Sequence, residues 1–405
     1  MELNNIKSNF YDYLFCLLII ILPYSIKFPN ILIVILSLFL IFDFKEYSKI
    51  DFKILKKTTL ITLYILILYW LSKGFLSNTI SENKYSLYVI ILIVPILFLK
   101  IRNSDRILFA IIISVFILSL RSIYGLIIHY SANNELLPFE GDIVNAILGM
   151  ERPYLGFFSV IAIIISIELS LKHAKYKYIL LAYSVYIGLF ISVISARISG
   201  LTILFLIILY LVFYIKMSFK KKTLLFLVLG LSIFIVILSN KNLRERLFIT
   251  NNYEESFAKV KLHEPRVIIW GCANEIMNSP NFNHILGLKS EKELDNLYAF
   301  CYDEKLENKH RANFFITSKL NSHNQFIGTY LTSGMIGLFL MLTFFISQII
   351  ICRANYIKTF MVIALFFFFM VEVVLLRQLG AYFFIIVICI INICPLNCSQ
   401  KHLQS

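Results

Sequence analysis

Charged residues are scarce in this chain: they make up 15% of its 405 residues, while 59% are hydrophobic. That leaves too little polar surface for a soluble globule of this length. The usual signatures of hydrolytic, nucleotide-driven and sugar-nucleotide chemistry are also missing. There is no Gly-x-Ser-x-Gly elbow, no P-loop, no Gly-x-Gly-x-x-Gly turn and no paired-aspartate diphosphate motif. The seven cysteines include no Cys-x-x-Cys pair, and His263, His284 and His310 are widely scattered, so no metal site is expected. No small-residue cleavage pattern follows the first apolar run, which passes into Pro23-Tyr24-Ser25-Ile26-Lys27. That run reads as a retained helix rather than a removed signal peptide.

What is present is a succession of apolar runs. About twenty apolar residues span a bilayer core, and twelve candidates occur: 14–24, 31–42, 58–71, 85–99, 107–128, 154–171, 178–194, 199–215, 223–239, 326–351, 357–376 and 379–393. The expected protein is all-α and polytopic, in three parts. Residues 1–239 carry helices one to nine, 240–322 form a long polar loop, and 323–405 carry the last three helices and a tail. A polar segment that long needs packed helices of its own.

The net charge of +14 could suggest nucleic acid, so the placement of each Lys and Arg decides. With the N-terminus inside, the inner segments hold 19 of them and the short outer loops only 6. This bias is a topology signal: both termini are expected in the cytoplasm and the long loop outside, and no nucleic-acid partner is expected. Of the cysteines, only Cys272 and Cys301 fall in the outer loop, where the compartment permits a disulfide.

The long loop concentrates the candidate chemistry. Pro265 suits a first helical position, so Arg266 stands near a helix start, where backbone N–H groups and a guanidinium can grip an anion together. His323, in Asn321-Ser322-His323-Asn324-Gln325, stands at the mouth of the next membrane helix. There an imidazole beside fixed cations suits proton transfer next to a phosphate-bearing lipid. The bland reading is a loop that ends in capping residues. Arg197 sits in the very short connection Ser195-Ala196-Arg197-Ile198-Ser199-Gly200, held close to the membrane plane among small residues that let a ligand or helix approach. Its plainer role is an interfacial anchor. Arg152 opens the sixth helix, positioned to bind phosphate or sugar or to neutralise the acidic loop before it. Arg121, in the fifth helix, either meets a lipid diphosphate or snorkels outward or pairs with an acid such as Glu372. Glu168 is expected to pair with Lys172 or Lys175, and Arg244 and Arg246 mark an interfacial helix or a solvated charged face.

Ser195-Ala196-Arg197, Arg266 with Trp270, and His323-Asn324 followed by Gly334-Met335-Ile336-Gly337, set among twelve helices with a late outer loop, resemble the O-antigen ligase and polymerase superfamily. The resemblance implies a GT-C-like fold in the bacterial inner membrane with the long loop in the periplasm. It implies transfer of a glycan from undecaprenyl diphosphate to an acceptor hydroxyl, either lipid A core or another glycan, without cofactor, nucleotide or metal. Carried over, Arg197 and Arg266 hold the donor diphosphate and His323 is the base or orienting group for the acceptor hydroxyl; Arg152 and Asn324 are candidate substrate contacts. Fixed guanidinium groups can do for a leaving diphosphate what a metal does elsewhere. Relatives often carry Gly-x-Gly where this chain has Gly287-Leu288-Lys289. A ligase is the first expectation and a repeat-unit polymerase the alternative. A lipid-linked glycan transporter is more remote, because no internal repeat or polar helix lining is visible.

Overall fold

The computed structural model describes residues 2–25, 27–42, 58–77, 82–135, 137–138, 141–214 and 264–396, with isolated positions between 218 and 231. Fifteen α-helices are described: α1 (Glu2–Ile21), α2 (Lys27–Phe42), α3 (Thr58–Ser77), α4 (Glu82–Phe98), α5 (Ser104–Asn133), α6 (Gly141–Leu148), α7 (Arg152–Lys172), α8 (Lys177–Val193), α9 (Arg197–Leu209), α10 (Pro265–Asn278), α11 (Glu291–Lys305), α12 (Lys309–Thr317), α13 (Gln325–Cys352), α14 (Tyr356–Phe369) and α15 (Gln378–Ile393). No strand occurs among the described residues.

Six helical stretches are long and apolar enough to cross a membrane: Thr59–Leu76, Ser104–Asn133, Ile143–Lys172, Ala174–Val193, Arg197–Tyr214 and Gln325–Cys352. Five more apolar helices are shorter, in α1, α2, α4, α14 and α15. The expected ninth run, 223–239, lies largely outside the described residues, as do Arg244 and Arg246. The run 357–376 is not one helix. It breaks after Phe369 into a turn and a single 3-10 turn at Val374–Leu376, which brings Glu372 into the protein.

The helix ends sort by chemistry. Asp105, at the start of α5, accepts from Lys172 at 2.6 Å and lies 2.9 Å from His173, tying α5 to the end of α7. Asp12 of α1 accepts from the backbone N–H groups of Arg102 and Asn103. Lys172 is thus engaged by Asp105, whereas Glu168 is buried one turn earlier on α7. At the other end stand α10, α11 and α12, which the sequence predicts as packed helices within the loop. They enclose their own core of Ile269, Ile276, Tyr298, Tyr302 and Phe315, which reaches α13 through Leu331. A disulfide between Cys272 and Cys301 joins α10 to α11. Closing a loop of 29 residues this way removes about 3–4 kcal/mol of unfolded-state entropy. Replacing both cysteines with serine should therefore lower the melting temperature of the detergent-purified protein, and reduction of the parent should lower it equally.

α15 is buried on every face, as a helix that is apolar all round must be. Aromatic pairs lock it in place: Phe158 stands 3.7 Å from Phe383, and Phe157 stacks on Phe368 of α14 at 4.3 Å. These contacts hold α7, α14 and α15 together, and the turn after α14 carries Glu372 into the site described below.

α13 is broken in mid-course. Gly334 adopts φ 62°, ψ −161°, a conformation essentially reserved for glycine. The chain at 284–288 docks into the break, with Leu288 N–H donating to the Leu331 carbonyl and Met335 N–H to the His284 carbonyl. Gly287, also left-handed at φ 72°, approaches so closely that a Cβ there would lie 2.6 Å from Gly334 N. The single glycine of Gly287-Leu288-Lys289 thus pairs with Gly334. Lys73 and Tyr69, one turn apart on α3, complete the joint. The Lys73 ammonium donates to the carbonyls of Leu286, Leu288 and Thr332, and Tyr69 to that of Ser333. Broken backbone among membrane helices is tolerated only where protein satisfies it in this way.

Candidate functional site

Three turns meet at the loop end of the bundle. The first leads into α9: Ser195 is left-handed at φ 53°, and Arg197 follows as the first helical residue. The small residues around it serve helix packing, since Gly156 of α7 sits against Ala196 and Ser199 so tightly that a Cβ would lie 2.9 Å from Ala196 Cβ. Gly200 faces open space instead. The second is the start of α10, where Pro265 takes the first helical position as its missing N–H predicts. The third is the entry to α13. His323 is left-handed at φ 41°, in a turn closed by Asn321, whose side chain accepts the His323 N–H at 3.0 Å.

Side chains from these turns form one continuous charged chain. Glu264 lies between two arginines: Arg197 Nη2 donates to Oε2 at 2.9 Å and Arg266 Nη1 to Oε1 at 3.3 Å. Arg266 reaches on with Nη2, donating to the Val371 carbonyl at 3.2 Å and lying 3.9 Å from Glu372 Oε1. Glu372 Oε2 lies 3.5 Å from His323 Nδ1. Glu372 is 4% exposed, whereas the arginines are reachable from outside. Trp270, one turn after Arg266 on the same face of α10, donates Nε1–H to the Ser322 carbonyl at 2.9 Å and fixes the His323 turn against that helix.

The structure thus brings Arg197, Arg266 and His323 together, although they come from three separate elements. Asn324 lies beside them with its side-chain oxygen occupied: it accepts the N–H groups of Phe326 and Ile327 and caps α13. Arg152 is half-buried at the first turn of α7, one turn outward of Gly156 and hence on the side that meets the turn before Arg197. Arg121 is exposed and does not pair with Glu372, which faces Arg266 and His323. Its guanidinium donates to the Gly149 carbonyl at 2.9 Å, and Ser122 donates to that of Leu148, so the loop expected at 130–151 is held as α6 against α5. The physical reason is the C-terminus of α6, whose last carbonyls lack helical partners and attract a cation.

Two residues of the chain were not assigned a role by the sequence pattern. Glu264 reads as an acid at a positive helix end, and Glu372 sits inside an apolar run. Glu372 meets Arg266 and His323, and Glu264 meets Arg197 as well as its neighbour Arg266, so the partners distant in sequence leave no local signal. Tyr154, buried near Glu372 with its hydroxyl lacking a hydrogen bond, closes the inner wall. Among the described residues, no group of three or more His, Cys, Asp or Glu is placed to hold a metal.

Chemically, the arrangement offers two forked cations spaced to share one anionic group, beside an imidazole whose one nitrogen faces a buried carboxylate. Such a carboxylate favours a proton on Nδ1 and leaves Nε2 to accept one from elsewhere. No family model matches the chain, and no curated protein matches it.

Proposed function

We propose that this chain is a membrane-embedded glycosyltransferase of the O-antigen ligase type. It transfers a glycan from undecaprenyl diphosphate to an acceptor hydroxyl at the outer face of a bacterial inner membrane. In this reading the protein is a GT-C-like bundle of about twelve spans, with both termini in the cytoplasm and α10–α12 in the periplasm. The disulfide in that subdomain favours an oxidising compartment.

The observation that carries the reading is the bridging of Arg197 and Arg266 by the single Glu264 carboxylate. Two guanidiniums that each take one oxygen of a carboxylate can each take one phosphate of a diphosphate once Glu264 gives way. The acceptor oxygen attacks the anomeric carbon as the carbon–oxygen bond to the diphosphate breaks. The hydroxyl proton passes to His323 Nε2, and the bonding electron pair leaves with the diphosphate, where the arginines stabilise it. Direct displacement inverts the anomeric centre. Glu372 acts as a positioning residue, orienting the imidazole and steadying it when it is protonated.

Deleting the gene in its host tests the choice of acceptor. Loss of a ligase leaves long glycan chains on undecaprenyl diphosphate and the acceptor bare, and this is the expected pattern. An acceptor bearing a single repeat unit, with no long chains on the carrier, would instead identify a repeat-unit polymerase.

A further inference from the structure

Beside the His323 turn, against Asn321 and Ser322, lies a half-open cavity of about 140 Å3, bounded by α3, α4, the start of α11 and the start of α13. Three observations bear on its purpose. Trp70 and Tyr88 line it as a stacked pair, with ring centroids 5.7 Å apart. Aromatics at these helix ends would ordinarily face lipid headgroups, but both rings are at least nine-tenths buried and turned into the protein. Secondly, Tyr298 of α11 lines the same cavity at 3% exposure, and its hydroxyl has no hydrogen-bond partner. Burial raises the pKa of this phenol, so it remains a donor. A buried hydroxyl without a partner is costly, and a ligand that accepts from it recovers that cost. Thirdly, the rim carries the carboxylate of Asp295 and the amide of Asn321, whose Oδ1 already holds the His323 turn.

An aromatic face, an unsatisfied phenol, a carboxylate and an amide around a ring-sized space match a polyhydroxylated ring. The ring's C–H face packs on indole, and its hydroxyls both donate and accept. The cations in the lining are Lys73, whose ammonium is taken up by backbone carbonyls, and the exposed Lys289, which stands among the carboxylates of Glu291 and Asp295. We infer that this cavity binds one sugar ring of the acceptor glycan and presents a neighbouring hydroxyl to His323. The inference rests on the transfer reading for the word acceptor, but its sugar chemistry comes from the cavity alone.

Trp70 and Trp270 are the two tryptophans of the chain, so intrinsic fluorescence of the detergent-purified protein can report the cavity directly. The titrants are glucose, galactose, N-acetylglucosamine and a heptose, with inorganic diphosphate as control. At least one sugar should change the emission saturably. The change should persist in Trp270→Phe, vanish in Trp70→Phe, and require about two- to tenfold more sugar in Tyr298→Phe. Asn321→Ala provides a second variant should Tyr298→Phe not fold. A response to no sugar, or one that survives in Trp70→Phe, or affinity unchanged in both cavity variants, overturns the inference. Saturable sugar binding by a protein whose membranes transfer no glycan would sink the transfer reading and leave the cavity assigned. Lost transfer in His323→Ala without sugar binding would do the reverse.

Discussion

Replacing His323 with alanine should slow glycan transfer by about 10²- to 10⁴-fold, the usual worth of a positioned general base. Fold and membrane insertion should be unaffected. The side chain is partly exposed, and it is the backbone of residues 321–324, held by Asn321, Asn324 and Trp270, that builds the turn. Alanine at a left-handed φ costs a little stability but leaves those bonds in place. The arginines should be no more forgiving. Arg197→Lys and Arg266→Lys keep the charge but lose the planar fork. Arg266 uses that fork to reach Glu264 with one nitrogen and the Val371 carbonyl with another. A loss of about tenfold or more is expected for each. The measurement is glycan transferred per unit time in membranes from each variant, normalised to protein abundance. Full activity in His323→Ala would remove proton transfer from the mechanism, and full activity in both lysine variants would mean that charge alone suffices.

Gly334→Ala should be strongly destabilising for a change of one methyl group. A Cβ at φ 62°, ψ −161° is strained in itself, and here it would collide with the Ile285 carbonyl of the docked segment. Backbone on both sides would have to move, at a cost of roughly 3 kcal/mol or more. Loss of the break also releases the carbonyls of Thr332 and Ser333 from Lys73 and Tyr69. The matching control is Gly200→Ala, where nothing lies within 4 Å of the added carbon. Thermal unfolding in detergent should separate the two clearly. A Gly334→Ala protein as stable as Gly200→Ala would show that α13 can run straight without penalty.

Much of this was legible from local chemistry. Proline before an arginine marked the start of α10, the polar run at 321–325 marked the entry to α13, and the length of the loop demanded helices with their own core. These are short-range statements, and backbone propensity carries them. The role of Glu372 depends on a turn that interrupts an apolar stretch and on partners in α10 and the His323 turn. Glu372 as a partner of Arg121 failed for the same reason: a guanidinium in an apolar helix announces that it needs a partner, but not that the partner is the end of a short helix from the next loop. Lys73 counted only as an outer-loop charge, because a cage of backbone carbonyls has no side-chain signature.

Glu264 also bears on which lipids the site admits. The formal charges of Arg197, Arg266, Glu264 and Glu372 cancel, so the resting pocket exerts little pull on a passing anion. A phospholipid headgroup with one negative charge would gain nothing by ousting a carboxylate of equal charge already held at 2.9 Å. A diphosphate brings more charge than it displaces and reaches both guanidiniums at once. Under the proposed function, the glutamate would act as a threshold that turns away singly charged lipids and yields to a diphosphate headgroup.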